Sequence, residues 1–230
     1  MDSLVGIPVG LALSAAAGFR VFVPLLLTGL AARFGYLTLT PGTSWLGSDA
    51  ALVALATATV LEVGAYYVPW LDNVLDVVAT PTAIMAGVLA WAAVTPELSP
   101  LLRWTLAVVA GGGAAGLVQT GTALLRFKSS TLTAGLGNSV VATAELAGSL
   151  VLSLLGLLAP LIAAAAVVVV LVVLARRLAG LRRGSRPPRS SAPAGEGRRP
   201  AGQLSDDSTL GRAVERSRPE AEQRWPRRKR

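Results

Sequence analysis

The sequence contains no cysteine and no histidine. Their absence removes disulfides, thiolate and imidazole metal sites, and every nucleophilic triad that needs a histidine base. Chemistry is left to carboxylates, arginine, hydroxyl groups and the backbone. The opening stretch MDSLVGIPVG also lacks the basic segment and small-residue cleavage site of a secretory signal, so its apolar run is expected to stay in the mature chain. Net charge is missing from most of the length too. Residues 1–181 hold seven basic groups (Arg20, Arg33, Arg103, Arg126, Lys128, Arg176, Arg177) and seven acidic ones (Asp2, Asp49, Glu62, Asp72, Asp76, Glu97, Glu145).

Apolar residues are abundant. They make up 53% of the chain, with a mean hydropathy of +0.59, whereas soluble domains reach about 45–50% only with glycine counted. The expected fold is all-α: a polytopic transmembrane helical bundle embedded in the lipid bilayer. A crossing helix needs roughly 20 mostly apolar residues, and six stretches come close, at 4–32, 51–68, 71–94, 101–125, 139–158 and 161–178. The last two form a nearly unbroken run in which GLLAP at 156–160 supplies the Gly and Pro of a hairpin turn. Without that turn the count is five.

The surplus of +8 lies wholly in residues 182–230, among Pro, Ser, Gly and Ala. Such a segment buries too little apolar surface to offset chain entropy. It is expected to be a disordered cytoplasmic tail beyond a transmembrane domain of residues 1–181. Its arginines suit anionic lipid headgroups, at about 1 kcal/mol per charge near the surface, and nucleic acid is not an expected partner. Arginines concentrate on the cytoplasmic side, so Arg176, Arg177, Arg182 and Arg183 place the C-terminus inside. Six crossings then put the N-terminus and the 126–138 connection inside as well, in a cell membrane.

Order within the chain suggests two halves, 1–98 and 99–181. AAAG at 15–18 is echoed by GAAG at 113–116, and ATVLEVG at 58–64 by ATAELAG at 142–148, which aligns Glu62 with Glu145. Three-span units cross in opposite directions, the inverted-repeat architecture of many transporters, whose sites lie near the midplane on interrupted helices. Gly18 and Pro24 around Arg20, and Gly111, Gly112, Gly113 and Gly116 in the fourth stretch, mark the expected interruptions. Small residues that merely let helices approach closely are the alternative reading.

Arg20 lies roughly 18–24 Å of helix from either end of its stretch. An arginine or acid at the centre of a membrane helix costs about 2.5–3.5 kcal/mol. Arg20 and Glu62 should therefore turn inward, with Arg20 paired to a glutamate and Gln119 able to donate and accept hydrogen bonds beside them. Pro69 and Pro81 delimit a short segment in which Asp72, Asn73 and Asp76 share one helical face. That segment is either an interfacial helix or the start of the third span, its carboxylates lining a polar cavity.

Four blocks, GFRVFVPLL at 18–26, LEVGAYYVPWLDNVLD at 61–76, GGGAAGLVQTGTALLR at 111–126 and GNSVVATAELAG at 137–148, together resemble the bacterial membrane family catalogued as domain of unknown function 4126, over about residues 8–178. The resemblance implies a multi-pass membrane protein and brings no substrate, reaction or cofactor. The leading expectation is a small transporter or channel whose pathway residues are Arg20, Glu62, Glu145, Gln119, Asp72, Asn73 and Asp76. An enzyme acting on a lipid or phosphate ester through Mg²⁺ on Asp72 and Asp76, and a scaffold that binds no substrate, are the alternatives. No resident cofactor is expected, and a homo-oligomer is compatible with the sequence.

Overall fold

The computed structural model describes residues 3–65, 69–133 and 137–184, with the backbone alone for residues 3–4, 69–77, 133, 178 and 180–184. The described residues form helices and connections and contain no strand. Helix α1 (Ser3–Ala17) stands in the middle, in contact with α2 (Phe22–Arg33), α4 (Pro69–Ala93), α6 (Gly113–Thr133), α7 (Asn138–Leu158) and α8 (Pro160–Gly184). Residues 12–18, LALSAAAG from Leu11 onward, are all buried. A helix apolar on every side must be surrounded, and its small side chains let five neighbours approach.

Residues 4–32 do not make one continuous helix. The two helices on either side of residues 18–21 double back, which several contacts fix. Gly6 lies against the carbonyl of Val94, and the Thr40 N–H donates to the Ala93 carbonyl at 3.0 Å. Both open ends of the pair therefore meet the C-terminal end of α4. Midway along α2, Gly29 abuts the Leu46 carbonyl at that same end, while Val21 and Phe22 lie beside Ala79 and Thr82, farther down α4. Thus α1 and α2 are a helical hairpin with its tip at 18–21. The turn is tight because Gly18 and Phe19 donate back three residues, to Ala15 and Ala16, at 3.1 and 3.0 Å.

Pro24 does not cause the interruption. It sits in the first turn of α2, where no intrahelical donor is required. The far end of α2 closes on Gly35 (φ 76°), with Tyr36 N–H bonded to Ala31 and Gly35 N–H to Ala32, a Schellman turn.

A 3₁₀ turn (Pro41–Gly47), not expected from the sequence, packs Leu46 into the core and leads into α3 (Asp49–Ala65) at a bend of 66°. Asp49 meets Arg33 at 2.9 Å on the surface, so α3 runs antiparallel to α2. Helix α4 continues straight through Pro81. The expected division at that proline is corrected: Pro81 lies inside α4, and membrane helices tolerate an internal proline where surrounding groups make up for the lost backbone bond.

The fourth stretch is deformed but unbroken. Helix α5 (Pro100–Leu106) passes through a π-helical turn (Ala107–Gly112) into α6, the single-turn bulge that often marks functional sites. Gly111 and Gly112 lie in this turn, whereas Gly113 and Gly116 are ordinary members of α6. Gly111 faces Gly87 of α4, where a Cβ on either would stand 2.7 Å from the other's carbonyl. Helix α6 also runs on to Thr133, so Arg126 is helical and buried and does not belong to a connection. Ala159 alone separates α7 from α8, in the GLLAP segment read as a turn. Residues 182–184 belong to α8, and the remainder of the tail lies outside the described residues.

Among the described residues, α5–α6 (Pro100–Leu132), α7 and α8 (Pro160–Arg177) are long and apolar enough to cross a membrane, and the bent 3₁₀–α3 pair makes a fourth. Large apolar side chains such as Val60, Leu61, Leu161, Ile162, Val169 and Val173 point outward. This is the make-up of an integral membrane protein.

Close packing at the hairpin tip yields the first test. A Cβ at Gly18 would lie 2.5 Å from the Ala115 carbonyl and 2.6 Å from Val118 Cβ, so Gly18→Ala should destabilise by about 1–3 kcal/mol. Gly113, with nothing within 4 Å of its Cβ position, should gain up to about 1 kcal/mol as Ala. Thermal unfolding of both variants in detergent checks the opposite signs.

Candidate functional site

The buried charges gather at the hairpin tip. Helix α3 turns Ala51, Leu55 and Glu62 inward, an i, i+4, i+11 stripe, and leaves the rest of its surface half-buried or exposed. Glu62 thereby reaches the N-terminus of α2, whose Val21 and Phe22 N–H groups donate to its two oxygens at 2.8 and 3.1 Å. Val21 brings no capping side chain of its own. The glutamate of another helix supplies the cap, and the positive end of the helix dipole favours its charge.

Helix α7 presents Ala142, Glu145, Ser149, Ser153 and Gly156 on one buried face, spaced i, i+3, i+7, i+11, i+14. Gly156 packs on Ala12 and Ser149 donates to the Ala16 carbonyl at 3.1 Å, which anchors this face along α1. Glu145 then stands beside the tip. Arg126 of α6 forks onto it, Nε to Oε1 at 3.0 Å and Nη2 to Oε2. Arg20 approaches from the other side, with Nη2 3.5 Å from Oε2 and donating to the Ala142 carbonyl at 2.8 Å. Arg20 is 1% exposed, and Arg126 and Glu145 are 3% exposed, so this carboxylate is shared by two guanidiniums away from bulk water.

Of the residues singled out from sequence, the structure brings Arg20, Glu62 and Glu145 together at the tip. Arg20 meets Glu145, while Glu62 is held by backbone amides and feels Arg20 and Arg126 only through space. Gln119 is buried on α6, one turn from Thr122, whose hydroxyl bonds the Gln119 carbonyl at 3.0 Å. Asp72, Asn73 and Asp76 occupy the first turns of α4, and their side chains lie outside the described residues. Among the described residues, no group of three or more acidic side chains is placed to hold a metal ion.

Arg126 is the member that sequence reasoning missed. Its neighbours Phe127 and Lys128 are exposed, and the RFK triplet resembles the end of a span. The signal was periodicity. Gln119, Thr122 and Arg126 fall at i, i+3 and i+7, one face of a helix continuing past residue 125.

The cluster contains two cations and two anions. Removing the charge of Glu145 leaves two guanidiniums facing each other in a medium that cannot solvate them, so Glu145→Gln should cost about 3–5 kcal/mol. Pairing it with Arg126→Gln restores neutrality and should recover part of the loss. A double-mutant cycle of thermal stabilities in detergent tests this, and simple additivity would contradict the shared-carboxylate arrangement.

A family model described as Domain of unknown function (DUF4126) matches residues 7–179, which span the hairpin, both glutamate helices and most of α8. No curated protein and no solved structure matches. By that match the chain belongs to the DUF4126 family.

Proposed function

We propose that the protein is a small membrane transporter or channel for an ion or small polar solute, with the charged cluster at the hairpin tip as its intramembrane site. The observation that carries this reading is the tip itself. Backbone interrupted at membrane depth is tolerated where it is buried in protein or lines a cavity, and helix termini exposed by such interruptions form the sites of many transporters. Here a helix N-terminus, two arginines and two glutamates converge on four residues of non-helical chain.

In this reading α3, α4, α5–α6, α7 and α8 each cross once, and α1–α2 enters and leaves on one side. The C-terminal arginines and Lys128 then lie on the cytoplasmic side of a cell membrane, with the N-terminus on the opposite side. The sets α2–α4 and α6–α8 run in opposite directions, which supports an inverted relation centred on Glu62 and Glu145. The basic tail rests on anionic headgroups. A scaffold reading draws on the saturation of Glu145 by Arg126 and Arg20, but it leaves Glu62 and the space beside it unused.

Reconstitution of the full chain into liposomes separates the two. Flux of protons, monovalent cations or small anions should appear with wild type and be lost in Glu62→Gln and Arg20→Ala while both variants remain monodisperse. Absence of flux under every gradient would leave the scaffold.

A further inference from the structure

A cavity of about 380 Å³ opens beside Glu62, between the tip of the hairpin, α3 and α4. Its volume falls within the roughly 300–1,000 Å³ of small-molecule sites, which are mostly apolar with a few placed polar groups. Among the described residues Ala58, Leu61, Ala65, Val78 and Ala79 line it, and Thr82 and Glu62 bring polar side chains to it. Leu61 and Val78 are also exposed on the outer, apolar surface of the bundle, so among the described residues the cavity is bordered by apolar outer surface on α3 and α4. A hydrated ion gains nothing from such walls, whereas an apolar body does.

The polar end is equally selective. Glu62 is 8% exposed, and each of its oxygens takes one N–H, from Val21 and Phe22. A carboxylate has about four acceptor sites, so two remain. Among the described residues Glu62 has no cationic partner within 4.0 Å, in contrast to Glu145. The amides that hold Glu62 and the arginines of the cluster lie on the tip side, and on the apolar cavity side a cation that reaches the carboxylate stabilises it.

We infer that this cavity binds a lipophilic cation, an apolar body carrying an ammonium or phosphonium centre that enters from the bilayer and seats its charge against Glu62. The inference sharpens the transport reading and rests on it for the fate of the ligand, while binding stands on the cavity and the carboxylate.

Tetraphenylphosphonium and tetraphenylborate, of nearly equal shape and opposite charge, supply the test. Each is titrated into the full chain in detergent, with protein-free micelles as the blank. Wild type should bind the phosphonium saturably at one site and the borate not at all. Glu62→Gln should weaken phosphonium binding by more than about tenfold. Ala58→Phe, which fills the cavity without touching the bonds of Glu62, should abolish it while elution and melting stay those of wild type. No saturable phosphonium binding by the monodisperse wild type, binding indifferent to both substitutions, or equal binding of the borate would overturn the proposal. Binding without ion flux in liposomes would retain this site and remove the transport reading; flux without binding would do the reverse.

Discussion

A polypeptide that turns around inside an apolar bundle exposes backbone N–H and C=O groups where no water can reach them, and each one left unsatisfied costs several kcal/mol. The hairpin of α1 and α2 meets this constraint with partners from the whole molecule. The Ala16 carbonyl receives Phe19, Arg20 and the Ser149 hydroxyl, and the amides that open α2 are taken by Glu62. Burying Glu62 there brings a charge, and Arg20, at the turn itself, brings another. The positions of α3, α6 and α7 around the tip follow from these demands, because each delivers the side chain that answers one of them.

Two kinds of packing coexist around this point. On the α4 and α6 side of α1, glycines remove the space between helices: Gly18 against Ala115, and Gly87 against Gly111. The π turn lets α5–α6 keep that contact and still aim Gln119, Thr122 and Arg126 inward. On the α3 side the contact is confined to one stripe, and a cavity remains beside Glu62. Glu145 lies on the first side with its carboxylate shared by Arg126 and Arg20, and Glu62 lies beside the cavity with two N–H donors. Alike as they are in sequence, Glu62 and Glu145 differ in what surrounds them.

Much of this was legible in the residues. The apolar stretches gave the helical bundle, and the Gly–Pro segment at 156–160 marked the turn realised at Ala159. The cost of isolated charges in hydrocarbon required Arg20 and Glu62 to turn inward, and both are buried, as is Glu145 beside Arg20. Direction was not legible. A largely apolar stretch of 29 residues at 4–32 reads alike whether it crosses once or folds back, since hydropathy counts residues and the reversal depends on contacts with α4 far along the chain. Proline misled twice for the same reason: Pro24 and Pro81 are local breakers whose effect was decided by position in the first turn and by tertiary support. Arg126 was hidden because a positive-inside count treats a terminal arginine as solvated, while the helix it belongs to extends two turns further.

The bond between the Glu62 carboxylate and the amides of Val21 and Phe22 joins the hairpin tip, the charge cluster and the cavity. Solid-state NMR of the full chain in bilayers can measure it through the dipolar coupling of the ¹³C-labelled glutamate carboxyl to ¹⁵N-labelled valine, with the Glu62 signal assigned by its loss in Glu62→Gln. With the Val21 nitrogen 2.8 Å from a carboxylate oxygen, a through-space coupling between the Glu62 carboxyl carbon and the Val21 nitrogen is predicted. A Glu62 carboxyl showing no coupling to Val21 would contradict the arrangement from which every functional statement here descends.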